Sequence, residues 1–384
     1  MQSRIKGPQH RKTSTPTRLI LLTALFFATR AHAQWDIEDT HTTANLRGVY
    51  NAGGGAVWAS GTNGTVLRSE DGGYLWQTCS IPPDAEKLDF RGIRGFDENT
   101  AIVMSSGPGD QSRLYKTTDG CQSWHLLFTN PDKEGFWDAI QFADKLHGFL
   151  LGDPVHVAGS EKKRLVFKQT LDGGKTWISW EQKIKELAFG DDVSAFAASN
   201  SSLIAQDPFN AVLATGGKSG STLIFPSNDG IVPCHCAQVP SQQNLNMWWA
   251  KESPFPQTET GGIFSIAENE HWIMAVGGDY KQPESAVKTA AHKDRALGAL
   301  QPAQTPPHGY RSSVAYDPTQ KLWITVGPNG TDISTDDGKN WHPLKPSNYD
   351  PADADKNWNA LSLPFVVGPH GRIGRLRTIA NPPK

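Results

Sequence analysis

The chain has 384 residues, enough for one large domain or two ordinary ones, and it is rich in Gly (37), Pro (26) and Trp (13) but has few Met (4). That balance favours turn-rich β-structure and argues against a helix bundle. The formal charge of −2 hides an asymmetry: all six basic residues of the first 33 precede any acid, leaving 31 basic against 39 acidic residues, which disfavours non-specific nucleic-acid binding.

The basic start (Arg4 to Arg18) is followed by an apolar run, Leu19 to Ala28, and by Ala31-His32-Ala33, an A-x-A cleavage site. The run is too short for a bilayer anchor, so residues 1–33 read as an export signal. The mature protein is expected to begin near Gln34, in the periplasm or outside the cell, with no membrane span of its own. No Cys follows the small residues, which argues against a lipoprotein. In an exported chain the four Cys can form disulfides with three connectivities, of which Cys79 with Cys121 is one candidate pair. Cys234-His235-Cys236 supplies three metal ligands at most and lacks a partner cluster, so it reads as a loop and no metal is expected.

Four turns share the Asp-box pattern Ser/Thr-x-Asp-x-Gly-x-x-Trp at identical spacing. They are carried by Ser69, Asp71, Gly73 and Trp76; by Thr117, Asp119 and Trp124, with Cys121 in the glycine position; by Thr170, Asp172, Gly174 and Trp177; and by Ser334, Asp336, Gly338 and Trp341. The carboxylate accepts amide hydrogen bonds across its own turn, and the hydroxyl closes the same loop. Gly supplies a positive φ, and Trp buries apolar area between strands. A fifth copy, Ser227 to Gly230, has Cys234 in place of Trp, and a sixth near Lys288-Thr289 has lost its Asp. The first five aspartates are 48, 53, 57 and 107 residues apart, the last being two periods. Such a repeat marks propeller blades.

Seven short apolar strands run through the chain, most of them closing on Gly: Ala56–Gly61, Ala101–Met104, Gly148–Gly152, Ala211–Gly216, Trp272–Gly277, Leu322–Gly327 and Pro364–Gly368. Each is preceded by a bulky–variable–small triplet centred on Arg47, Arg91, Asp138, Ala197, Phe264, Arg311 and Asn359. Seven copies give an all-β, seven-bladed β-propeller spanning 34–384 as one domain. The last blade lacks an outer strand, and Trp35 to Glu38 is free to supply it and close the ring.

The triplet centres form one ring at the axis. Arg47, Arg91 and Arg311, with Asp138 beside Arg91, are expected to face a shared mouth suited to an acidic peptide or small anion. Asp153, Asp279 and Tyr280, in loops after the second strand, are further candidates. The competing reading has Asp138 and carbonyl oxygens neutralising the arginines around a plugged channel.

These boxes and blades resemble the photosystem II stability/assembly factor family of β-propellers and its non-photosynthetic bacterial relatives, which are often labelled oxidoreductases. The resemblance covers essentially the whole mature chain. It implies a non-catalytic module that holds an envelope or membrane protein through the propeller surface, with an arginine-rich patch, and a monomer without a cofactor. Nothing in the sequence marks a photosynthetic host, so the photosystem partner is not carried over. The alternative is a glycan-binding or sialidase-like propeller, sialidases sharing the Asp-box, an arginine triad and a tyrosine nucleophile. The Arg-Ile-Pro segment of sialidases is missing here, and they have six blades. There is no G-x-G-x-x-G opening a helix and no C-x-x-C to support a redox enzyme.

Overall fold

The structure, a computed structural model, describes residues 34–38, 40–179, 188–189, 192–225, 254–295, 299–379 and 382. The expected leader, the turn at Ser227 and the Cys234–Cys236 stretch lie outside them.

Seven antiparallel sheets follow one another along the chain. Blade 1 opens with Leu46–Gly53, Ala56–Gly61 and Val66–Ser69, and blade 2 with Phe90–Gly95, Ala101–Ser105 and Arg113–Thr117. Blade 3 opens with Trp137–Phe142, Gly148–His156 and Lys163–Thr170. Blade 4 shows three strands, Leu203–Ala205, Ala211–Ala214 and Leu223–Ile224. Blade 5 opens with Gly261–Glu268 and Trp272–Asp279, blade 6 with Ser313–Asp317, Leu322–Gly327 and Gly330–Ser334. Blade 7 holds Ala360–Ser362, Phe365–Val367 and Ile373–Leu376. Its fourth strand is Trp35–Glu38, paired with Ile373–Leu376 from Trp35↔Leu376 to Glu38↔Ile373. The ring is thus closed by the N-terminal strand, and Trp35 stacks on Trp358 at 5.8 Å.

The apolar core is divided among the seams. Each of seven buried clusters joins two adjacent blades, the seventh bringing Leu46, Ala59 and Leu67 of blade 1 against Phe365, Val367 and Ile373 of blade 7. Sheets that bury both faces this way need apolar residues at nearly every position, as the fully buried Ala56–Gly61 shows.

The four Ser/Thr-x-Asp turns all close the same way. In blade 3 the Gly174 amide donates to Thr170 Oγ1 at 2.9 Å, and the Lys175 and Thr176 amides donate to Asp172 Oδ1 at 3.0 and 2.9 Å. Trp177 Nε1 donates to the Gly174 carbonyl at 3.1 Å, and its ring packs into the seam with blade 2. In blade 2 Cys121 takes the left-handed position at φ 64. It is bonded to Cys79, so a disulfide ties the outer edge of blade 1 to the turn of blade 2.

Blade 4 departs from the expected repeat. Phe196-Ala197-Ala198 is not its inner strand; that strand is Leu203–Ala205, seven residues later. The stretch before it crosses the axis instead. Ser199 Oγ donates to the Ser312 carbonyl of blade 6 at 2.7 Å, and the Ile266 amide of blade 5 donates to the Ser201 carbonyl at 2.7 Å. The Ile140 amide of blade 3 donates to Asn200 Oδ1 at 2.8 Å, while Asn200 Nδ2 reaches the Ile93 carbonyl of blade 2 at 3.4 Å. Asn200 sits at φ 62, and a Cβ on Gly92 would come within 2.8 Å of its Oδ1. The channel is therefore plugged, and the small residue of blade 2 is required by the plug.

Candidate functional site

Above the plug lies a cup of about 700 Å³, lined by residues from every blade. A backbone device aims its side chains. In blades 1, 2, 3 and 5 the pairing of the first two strands skips one residue, between Leu46 and Gly48, Phe90 and Gly92, Trp137 and Ala139, and Ile263 and Ser265. The skipped residue bulges out of the ladder, and here that residue is Arg47, Arg91, Asp138 or Phe264, turned to the axis. Asn359 of blade 7 also lines the cup.

Blade 6 is the exception, and it corrects the expected arginine triad. The Arg311 amide donates to the Gly277 carbonyl of blade 5, as the Leu46 amide does to Gly368 of blade 7 and the Trp358 amide to Gly327 of blade 6. Arg311 therefore occupies the bulky, buried position, one residue earlier in the repeat than the spacing suggests. Ser312 and Tyr310 line the cup instead. The Arg311 side chain is fully buried, with Nε 2.8 Å from Asp332 Oδ2, Nη2 on the same oxygen, and Nη1 donating to Asn329 Oδ1 at 2.6 Å. His308 Nδ1 lies 2.7 Å from the other oxygen of Asp332.

Arg47 and Arg91 remain as neighbours on one wall. Burial pulls the Arg47 guanidinium below its usual affinity for protons, Arg91 adds to that, and Arg47 Nε is buried without a partner among the described residues. Arg91 Nε bonds Asp89 Oδ2 at 2.8 Å, and its guanidinium lies over the Phe136 ring at 5.9 Å. Beside them stand two acids of blade 3. Burial and the neighbouring Asp153 push the Asp138 carboxyl well above the usual range, and its Oδ2 has no partner among the described residues. Burial raises Asp153 to about 6, although its Oδ1 accepts the Ala195 amide at 3.0 Å.

The opposite wall is aromatic, and it brings Phe264 of the axial ring and the candidate Tyr280 together with Phe196 and Tyr310, a grouping the sequence does not single out. Phe196 and Phe264 stack with centroids 3.9 Å apart, and Tyr310 packs edge-on to Phe264 at 4.8 Å. Tyr280, half exposed at the rim, meets Phe264 at 6.1 Å. Asp279 is not a lining residue, contrary to expectation. Its carboxylate accepts hydroxyl hydrogen bonds from Thr258 at 2.8 Å and Thr260 at 2.7 Å and the Lys281 amide at 3.0 Å, pinning the loop that presents Tyr280 and Lys281. Among the described residues no group of three His, Cys, Asp or Glu is placed to hold a metal, and no helix is long and apolar enough to cross a membrane.

Fold and site together define a seven-bladed all-β propeller with a one-sided axial cup. No protein-family model matches the sequence, and no curated protein matches it either. Among solved structures the chain is similar to YCF48 bound to a D1 peptide, at 15% identity, 91% coverage of this chain, 98% of that one and a TM-score of 0.57. It is equally similar to YCF48 from Cyanidioschyzon merolae, at 16% identity, 90% and 99% coverage and a TM-score of 0.57. An ancestral GH74 enzyme matches at 13% identity and a TM-score of 0.52, over 89% of this chain but 46% of that one. At these identities the likeness is one of fold.

Proposed function

We propose that the chain is a non-catalytic binding module, exported to the periplasm or beyond, whose cup takes an acidic segment of a partner protein. The observation that carries this reading is the pair Arg47 and Arg91 on one wall, Arg47 with a buried Nε that none of the described residues satisfies. Two adjacent guanidiniums suit carboxylates, and each charge-assisted bond is worth about 1.5–3 kcal/mol. The aromatic wall suits an apolar residue next to the acid. The similarity to a propeller bound to a peptide supports the class of ligand, and an envelope or membrane protein is the partner that export implies.

Binding of a fluorescent peptide of alternating Asp and Leu tests it by anisotropy. Arg47→Ala with Arg91→Ala should weaken binding at least about 10-fold and leave the melting temperature within a degree or two. Unchanged affinity rejects the cup as the site. A second reading, a glycan ligand or a glycoside hydrolase, draws on the proton-retaining Asp138 and Asp153 beside the aromatic wall and on the GH74 likeness. Release of reducing ends from glycans, abolished by Asp138→Asn, would favour it.

A further inference from the structure

The strand that closes the ring begins at a carboxylate. The Gln34 amide donates to Asp350 Oδ2 at 3.0 Å and the Trp35 amide to Asp350 Oδ1 at 2.9 Å. The Ser347 amide and hydroxyl also donate to Oδ2, at 2.8 and 2.6 Å. Asp350 lies in the connection between blades 6 and 7, so this single side chain joins the first described residue to the seam that the N-terminal strand completes. Among the described residues no Lys, Arg or His forms an ion pair with it. The nearby Arg377 is held by Asp36, with Nε 2.9 Å from Asp36 Oδ1. Burial acts to raise the Asp350 carboxyl, but these donors hold it below the usual range.

The A-x-A motif ends at Ala33, immediately before this contact. We propose that Asp350 is the seat of the α-ammonium group created when a peptidase cuts between Ala33 and Gln34, so that removal of the leader turns an amide–carboxylate hydrogen bond into an ion pair and fastens the closing strand. The cut adds water across the peptide bond: its hydroxyl goes to the Ala33 carbonyl carbon and its proton to Gln34 nitrogen, and the new carboxylic acid gives up its proton as the amine takes one, leaving carboxylate and ammonium. The nitrogen already lies at hydrogen-bond distance from the carboxylate, so no rearrangement is needed. Trp35 is buried and stacked on Trp358, and the Arg377 amide donates to the Gln34 carbonyl at 2.9 Å, which keeps the new terminus in place.

A glutamine at a free N-terminus has its own decay route. The neutral amine attacks the side-chain carboxamide carbon, a ring N–C bond forms, and ammonia leaves with the charge lost. Only the unprotonated amine attacks, so a carboxylate that holds the ammonium protects it. A one-unit rise above the usual α-amino value of about 8 lowers the reactive fraction near neutral pH about tenfold, which corresponds to about 1.4 kcal/mol.

The test uses the full chain, leader included, produced in an export-competent bacterium. Mass spectrometry of the matured protein should show a chain starting at Gln34 with its amine intact. The Asp350→Asn variant should start at the same residue and cyclise about tenfold faster at neutral pH, and Asp350→Glu should restore protection. A different first residue, or equal cyclisation in wild type and Asp350→Asn, overturns the proposal. If Asp350→Asn does not fold, the pH profile of amine acylation in the wild-type protein decides. The α-amine should titrate about one unit higher folded than in urea, and identical profiles reject the seat. Neither result depends on what the cup binds.

Discussion

The buried pair Arg311–Asp332 offers the sharpest quantitative test of how this propeller departs from its own repeat. In the equivalent places of blade 1 stand Leu46 and Leu67, and in blade 2 Phe90 and Tyr115, which pack edge-on at 5.9 Å. Both side chains of the charged pair are essentially out of solvent. Asp332→Leu removes the acceptor of two guanidinium donors and of His308, leaving a buried cation to be desolvated alone. Breaking such a pair costs about 3–5 kcal/mol. For a chain of this length the unfolding entropy is about 0.7 kcal/mol per degree, so the melting temperature should fall by roughly 4–7 °C. The double variant Arg311→Leu with Asp332→Leu restores the apolar arrangement of blade 1 and should recover most or all of that loss, because apolar replacement of a whole buried pair is often neutral or better. Thermal melts and urea unfolding of the four proteins in the cycle measure the coupling. Additive effects of the two substitutions, or a single Asp332→Leu variant that melts with the wild type, would refute the assignment of Arg311 to the framework.

Other predictions are shorter. Asp172→Ala removes the acceptor of two amides in the blade 3 turn and should cost about 1–2 kcal/mol in urea unfolding, with peptide binding at the cup unchanged. Reduction of Cys79–Cys121, which closes a separation of 42 residues, should cost about 4 kcal/mol by the chain-entropy relation, read as a lower melting temperature in reductant. Asp153 binds its proton more tightly folded, at about 6 against the ordinary 3.8 of an aspartate. Its contribution is therefore fully present below about 4 and is lost as pH rises through about 6, by at most about 3 kcal/mol. Urea unfolding at pH 5 and pH 7 should show the later part of that loss, roughly 1.3 kcal/mol, and Asp153→Asn should flatten it. Protonation of the same group removes a negative charge from beside the arginines, so binding of the acidic peptide should tighten as pH falls from 7 to 5.5, less so in Asp153→Asn.

The blade count was legible because it rests on a strong signal, an apolar strand buried on both faces and usually closed by Gly, repeated at blade-sized intervals. Closure by Trp35–Glu38 was legible from the strand missing at the other end of the chain. The register of blade 6 was not. Tyr310-Arg311-Ser312 and Arg311-Ser312-Ser313 both satisfy bulky–variable–small, since the aliphatic stem of arginine passes for a bulky residue. The deciding clue was remote: Asp332 interrupts a strand that is apolar at that point in blades 1 and 2, and a buried carboxylate demands a cation. Blade 4 misled for a related reason. Phe196-Ala197-Ala198 imitates the triplet, whereas the run Ser199-Asn200-Ser201-Ser202 after it carries the hydroxyl and amide groups a segment needs when it leaves the sheet and must satisfy itself against four other blades. The aromatic wall was only half legible: the triplets put Phe264 on the axial ring and the loop pattern offered Tyr280, but Phe196 and Tyr310 belong to triplets whose register differs in blades 4 and 6.

The placement of the turns relative to the cup follows from strand direction alone. Inner strands start at the cup, with Arg47 and Arg91 near their first residues, and run away from it. Third strands, two reversals later, run the same way and end at the Ser/Thr-x-Asp turns, where the Gly72 amide donates to the Gly55 carbonyl in the hairpin at the far end of the inner strand. The turns therefore lie at the opposite end of the sheets from the cup, with the plug between the two mouths. A ligand of the proposed cup has one side to enter from, and the repeated residues that make the chain recognisable as a propeller are out of its reach. Specificity has to come from residues that differ from blade to blade: the bulged Arg47 and Arg91, the two acids of blade 3, and the wandering segment of blade 4. Alterations in the four turns should change how long the wheel survives heat or urea, while alterations in the bulges should change what it holds.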